Sequence, residues 1–246
     1  MNIVKEIFGR IWALWGIITF VITFIPAFIA TLLTYHMKGR KGQAIFISIS
    51  RIWMNVWLRL IACPLRVYGK ENFKDGETYV VVCNHNSLMD PPLSCPYIPG
   101  ANKTIAKTSF AKVPLFGTFY KRGSVLVDRK SEESRRRSFI EMKNTLQEGI
   151  HMSIYPEGTR NRTDKPLKAF HDGAFRLAVE SGKKIIPAVL YNTGKVLPVN
   201  KPFYLMPHKL SIHFLPAVEV KDKTAAAVKD EVFDIMWNYY LENKKQ

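Results

Sequence analysis

The stretch Tyr79-Val80-Val81-Val82-Cys83-Asn84-His85-Asn86-Ser87-Leu88-Met89-Asp90-Pro91 changes character twice. Residues 79–83 form an apolar, valine-rich run with no polar interruption, which reads as a strand covered on both faces. Asn84 to Pro91 is loop chemistry, rich in turn formers. His85 therefore falls at the carboxyl end of a buried strand, where α/β folds place reactive groups. Asp90, five positions on and just before Pro91, can fold back across a turn to one ring nitrogen. That would fix the tautomer and leave the other nitrogen free to take a proton. One such pair is weak evidence by itself.

Working outward, six further runs read as strands: Leu65–Tyr68, 103–106, Ser124–Val127, 152–155, Ile185–Tyr191 and 210–215. Helical patterns lie between them. Ser131 is a good N-cap with Glu132 and Glu133 in the first turn; Phe139, Met142, Leu146 and Ile150 give a buried stripe, and Gly149 ends it. Residues 170–180, closed by Gly182, and 224–241, with Val228, Val232, Ile235 and Tyr239 on one face, predict two more helices. Strands interleaved with helices predict an α/β fold, a mixed and mostly parallel sheet flanked by helices.

The N-terminal part is of another kind. Residues 11–33 contain no ionisable side chain, a run long enough to cross a hydrocarbon core and too long for a cleaved signal. Lys38, Arg40 and Lys41 follow at once, between Gly39 and Gly42. In residues 44–62, Ile45, Ile49, Ile52, Trp53, Val56, Trp57 and Leu60 recur at helical spacing, and Ser48, Arg51, Asn55 and Arg59 share the other face. Such a helix suits a membrane interface. We therefore expect residues 1–64 to be a two-helix membrane anchor and 65–246 a catalytic domain. Deleting the anchor is expected to leave a more soluble protein. Basic residues stand at both ends of the first helix and Pro26 lies within it, so a span and a shallow seat in one leaflet both remain open.

The 246 residues are 47% hydrophobic and 12% aromatic, which excludes a disordered tail. The net charge of +16 fits nucleic acid, an anionic membrane or phosphorylated substrates as partners. Cys63, Cys83 and Cys95 lack metal spacing and read as reduced, packed thiols.

A second motif, Tyr155-Pro156-Glu157-Gly158-Thr159-Arg160, also follows a strand. Gly158 would let backbone N–H groups approach an anion, with Thr159 and Arg160 supplying a hydroxyl and a guanidinium fork. Between the two motifs lie Lys107, Pro114, Gly117, Gly123 and Asp128-Arg129, a cationic, turn-rich stretch.

Taken in order, Asn84-His85 with Asp90, Lys107 with Pro114 and Gly117, Val127-Asp128-Arg129, Pro156 to Arg160, and Ile186-Pro187-Ala188 resemble the four blocks of the glycerolipid acyltransferases. Within that superfamily the chain most resembles the 1-acyl-glycerol-3-phosphate acyltransferases, over about residues 67–215. Lys168, Phe170, Gly173 and Ala174 fit the helix start after the third block. Tyr155, where the family often has Phe, and Ala188, where Val is common, depart from it at positions not expected to do chemistry. The resemblance implies that His85 is the general base and Asp90 orients it. It implies that Arg129, Glu157, Gly158, Thr159 and Arg160, with Lys107 as a further cation, bind the acceptor's glycerol phosphate. It further implies lysophosphatidic acid as acceptor, acyl-carrier protein or acyl-CoA as donor, and phosphatidic acid as product, at the cytoplasmic face of the cell membrane. Such direct transfer needs no metal, cofactor or covalent intermediate.

Glycerol 3-phosphate or a lyso-lipid without phosphate would use the same motifs. A basic binding module without catalysis, including one for nucleic acid, leaves the His85 and Glu157 blocks without purpose. A Ser87-based hydrolase lacks the Gly-x-Ser-x-Gly elbow.

Overall fold

Seven strands form one sheet in the computed structural model, which describes residues 3–243. In chain order they are β1 (Leu65–Tyr68), β2 (Val80–Cys83), β3 (Asn102–Lys107), β4 (Ser124–Val127), β5 (His151–Ile154), β6 (Ile185–Tyr191) and β7 (Leu210–Phe214). The spatial order is β1-β7-β6-β2-β5-β3-β4, with only the β6–β7 pair antiparallel. All seven runs expected from the sequence are strands, and the sheet is mixed and mostly parallel.

The doubly covered strand divides its side chains as a period of two requires. Val81 and Cys83 of β2 enter one core, and Val80 and Val82 enter the other. The long helices are α1 (Ile3–Leu33) and α2 (Gly39–Leu60) on the first face, with α5 (Glu132–Gln147), α6 (Gly173–Ser181) and α8 (Ala225–Glu242) on the second. Short helices α3 (Asp90–Ser94), α4 (Phe116–Arg122) and α7 (Thr193–Val196) fill the connections. Ser131 Oγ accepts from Ser134 N at 3.1 Å as the expected N-cap of α5, and Gly182 closes α6 with a left-handed φ of 63°. The helix expected from 170 begins at Gly173 instead; before it, the N–H groups of Lys168 and His171 donate to Glu157 and to Pro156 O rather than within a helix.

α1 and α2 form a hairpin stitched by four indoles. Trp12 and Trp15 donate to the carbonyls of Ile61 and Leu60 at 3.0 and 2.9 Å, at the end of α2 where carbonyls lack intrahelical partners. Trp57 donates to Gly16 O and Trp53 to Thr23 Oγ1, both at 2.9 Å. The helix runs through Pro26 without a break. Arg122 of α4 closes its far end, donating to the carbonyls of Thr31, Thr34, Met37 and Gly42.

The orientation of α2 corrects the sequence reading. Its buried face is Phe46, Ile47, Ser50, Trp53, Met54, Trp57 and Leu58, whereas Ile52, Val56 and Leu60 are exposed. Arg51, expected at a membrane interface, donates to the carbonyls of Pro96 and Ile98 at 2.6 and 3.2 Å, and Asn55 accepts from Tyr97. A helix with apolar residues on nearly all sides offers two candidate inner faces. Here Trp53 and Trp57 of the expected stripe turned inward with Ile49 partly buried beside them, joined by Phe46, Ile47 and Met54, and only Ile52, Val56 and Leu60 were left outside. Because α2 completes the first core, deletion through 62 would strip one face of the sheet, so the more soluble fragment expected from sequence does not follow.

Candidate active site

His85 is held by its main chain as firmly as by its side chain. Asn84, fully buried, ties the end of β2 to β6: its Oδ1 accepts from Leu190 N at 2.7 Å and its amide donates to Leu190 O at 3.1 Å. His85 N donates to Glu157 Oε1 at 2.7 Å, and His85 O accepts from Asn161 N at 2.6 Å. The imidazole is thus presented from the sheet's carboxyl edge by a backbone gripped on both sides.

Asp90 opens α3 and folds back as expected. Its Oδ2 lies 2.7 Å from His85 Nδ1 and also accepts from the N–H of Asn86 and Ser87 at 2.6 and 2.7 Å. An oxygen that accepts two backbone protons is placed to accept the ring's, so Nδ1 carries hydrogen and Nε2 has a lone pair for substrate. The Asp90 side chain is fully buried and that of His85 is 18% exposed, which makes a sheltered acceptor and a reachable imidazole. Asp90 Oδ1 is buried without a hydrogen-bond partner among the described residues.

Tyr155, which sequence reasoning set aside, stacks on the His85 ring with centroids 4.5 Å apart and an interplanar angle of 27°. Its hydroxyl shares a 2.6 Å hydrogen bond with Ser94 Oγ of α3, and burial pushes its pKa up, so it stays neutral. The ring's face lies where a positive imidazolium would be stabilised.

Glu157 was expected to bind acceptor, and the structure turns it inward. It is 1% exposed; Oε1 accepts from His85 N and Oε2 from Lys168 N, the latter at 3.1 Å. Both oxygens are used within the fold, so this carboxylate holds the main chain at His85. Burial pushes its pKa up to about 7 despite the two backbone bonds and Lys168 nearby. The folded chain thus binds a proton that the unfolded chain loses near 4.5. The stability contributed by this group is full below about pH 4.5 and is lost as pH rises through 7. Glu157→Gln, which cannot titrate, should flatten the dependence of Tm on pH between those values. It also sets an amide N–H₂ against a backbone N–H, and kcat should fall roughly tenfold, as for loss of one charge-assisted bond at the base.

The cations collect beyond the ends of β3, β4 and β5. Register sets Lys107 beside Val127, two residues before Arg129, and the Arg129 guanidinium donates to Gly158 O. Gly158 has φ 70°, and a β-carbon there would stand 2.7 Å from the His171 ring, so only glycine fits. Thr159 Oγ1 accepts from Lys168 Nζ at 2.7 Å, which brings in a cation that the sequence marked only as part of a helix start. Arg160 is partly buried and has no ion pair among the described residues. Lys107 is exposed at the rim. Among the described residues no group of three or more His, Cys, Asp or Glu side chains is arranged as a metal site.

An apolar cavity of about 140 Å³ runs beneath α2 beside this centre, lined among others by Phe20, Trp53, Pro91, Cys95, Phe119 and Gly123. Pro91 adjoins Asp90, so the cavity reaches the His85–Asp90 loop. An imidazole held by a buried carboxylate, with cations and an apolar cavity near by, is the arrangement of a candidate active site.

The comparisons give the chain its family. The acyltransferase family model matches residues 64–191, just over half of the chain. A 1-acyl-sn-glycerol-3-phosphate acyltransferase of Chlamydomonas reinhardtii is 30% identical over 163 residues, 64% of this chain and 48% of that protein. The chain thus spans about half the length of that relative. The enzyme of the same name from Borreliella burgdorferi is 25% identical over 194 residues, 74% of this chain and 75% of its own. The crystal structure of the 1-acyl-sn-glycerophosphate (LPA) acyltransferase PlsC from Thermotoga maritima shares the fold, with a TM-score of 0.83, 21% identity and 98% of both chains covered. The chain belongs to the acyltransferase family.

Proposed function

We propose that this protein moves a fatty acyl group from a thioester, acyl-carrier protein or acyl-CoA, to the middle hydroxyl of 1-acyl-glycerol 3-phosphate, forming phosphatidic acid. The observation that carries this reading is the Asp90-held His85 beside the Arg129, Arg160 and Lys168 cations; the names of the relatives point the same way. His85 Nε2 takes the acceptor's hydroxyl proton as its oxygen attacks the thioester carbonyl. The tetrahedral intermediate collapses with loss of the thiol, which leaves with the proton from His85. Asp90 balances the imidazolium in between, and Arg129 and Arg160 hold the phosphate dianion.

Residues 1–64 are, in this reading, a membrane anchor that lies within one leaflet. α1, about 46 Å long at 1.5 Å per residue, is attached along its length. Gly9 O accepts from Leu205 N, Phe24 packs on Phe119, and Thr31 O accepts from Arg122. Its free face is apolar: Ile11, Ile18, Ile22, Ile25 and Ile29 are all more than 40% exposed. A helix bound lengthwise to a water-soluble body is suited to lie in the interface. The cytoplasmic face is the side from which water-soluble acyl thioesters would reach the site. Ile18→Glu with Ile25→Glu should weaken binding to phosphatidylglycerol vesicles roughly tenfold or more, two isoleucines being exchanged for charge, with Tm unchanged. Unchanged flotation would place the anchor elsewhere.

The function is tested by purified enzyme offered lysophosphatidate, glycerol 3-phosphate and neutral lyso-lipids, each with both donors. Highest kcat/KM with lysophosphatidate is expected; turnover confined to either other acceptor class overturns the reading.

A further inference from the structure

A second apolar cavity, of about 280 Å³, lies between α1, α2 and the loop that follows α7. Ala13, Gly16, Ile17, Trp57, Leu197 and Leu205 line it, and Phe20 is a wall common to it and the first cavity. The loop wall is preformed. Leu205 N donates to Gly9 O at 3.0 Å, Arg10 donates to Pro202 O at 3.3 Å, and Lys201 pairs with Glu6. Gly16 is needed for this approach, since a β-carbon there would meet Leu205 Cδ1 at 2.9 Å.

One end of this cavity is joined to the base loop. Ser87, two residues past His85, donates its hydroxyl to Leu197 O at 2.8 Å. The first cavity meets the same loop through Pro91 and Pro92, next to Asp90. Two apolar cavities therefore flank the loop that carries the base, with Phe20 between them.

Strand order distinguishes the two. β5, β3 and β4, which lead to Gly158, Lys107 and Arg129, lie on one side of β2, whereas β6, which leads through α7 to Leu197, lies on the other. In the acceptor proposed above, on which this step rests, the reacting hydroxyl is on the middle carbon. The phosphate and the acyl chain are on the carbons to either side. With that hydroxyl at His85 and the phosphate toward Arg129 and Arg160, the chain departs toward the β6 side. We infer that the second cavity binds the acyl chain already carried by the acceptor.

The test uses the full-length protein in phosphatidylglycerol vesicles and a lysophosphatidate bearing a photoreactive diazirine near its chain end. Crosslinks should map to residues 13–20 and 197–205 and be suppressed by unlabelled lysophosphatidate. Ile17→Trp, a substitution at a half-exposed rim residue, should lower kcat/KM for a sixteen-carbon acceptor relative to a six-carbon one. The drop should be roughly tenfold, as when about two methylenes leave an apolar site. The preference for donor chain length should stay as in wild type. Crosslinks confined to Pro91, Cys95 or Phe119 would give the acceptor the first cavity and overturn the assignment. So would labelling displaced by added phosphatidylglycerol but not by lysophosphatidate, which would mark a bilayer lipid site. An unchanged acceptor ratio in Ile17→Trp would overturn it too. Turnover of lysophosphatidate by the wild type, measured in the same vesicles, separates the two failures: without it the acceptor reading falls and this assignment with it, whereas turnover with misplaced crosslinks removes the cavity assignment alone.

Discussion

His85→Ala is expected to lower kcat by roughly 100-fold or more, the contribution of a positioned general base, while Tm changes little. The side chain is removed but the main-chain bonds to Glu157 and Asn161 remain, so the loop keeps its course. Asp90→Asn should cost less in kcat, and more in stability than His85→Ala. The amide oxygen can stand where Oδ2 accepts from two backbone N–H groups and the imidazole, but it lacks the charge that strengthens all three bonds. Its NH₂ would then be buried at the Oδ1 position, where no hydrogen-bond partner stands among the described residues. With the ring no longer held, Nδ1 and Nε2 exchange tautomers, and the base is correct only part of the time. A His85→Ala enzyme that keeps a tenth or more of wild-type kcat would remove the assignment of the base.

The second large effect is expected at the cations. Arg160→Ala should raise the acceptor's KM by an order of magnitude or more, since a guanidinium–phosphate contact contributes roughly 1.5–3 kcal/mol. The donor's KM should move little. Arg160→Lys should recover part of the loss, because an ammonium keeps the charge and loses the fork. Arg129→Ala differs in kind. Arg129 also donates to Gly158 O, so its removal loosens the turn that carries Thr159 and Arg160, and kcat should fall together with the rise in KM. Steady-state kinetics with each substrate varied in turn separates these patterns. Acceptor KM unchanged in both alanine variants would point to an acceptor without phosphate.

Much of this molecule could be read locally. The run 79–83, the Ser131 cap and the glycine at 182 specify their elements through side-chain period, a hydroxyl three residues from an N–H, and a left-handed φ. These signals span only a few neighbours, so all seven strands and the long helices were legible. The His85–Asp90 pair was legible for the same reason, since both ends of the bond lie in one turn.

What the sequence by itself determined, then, is the succession of elements, the pairing of His85 with Asp90, and the order of blocks that marks the family. Tertiary structure alone decided which face of α2 turned inward, sending Arg51 to the carbonyls of Pro96 and Ile98 and leaving Ile52 and Val56 outside. It also turned Glu157 from an acceptor ligand into a brace for His85, seated Tyr155 on the imidazole, brought Lys168 to Thr159, and opened two cavities beside one loop. Apart from the Lys168–Thr159 contact, these depend on partners that the chain supplies far away in sequence, 72 residues for His85 and Glu157. A buried carboxylate takes whichever N–H donors the fold presents to it, because leaving them unpaired costs more than any local preference contributes.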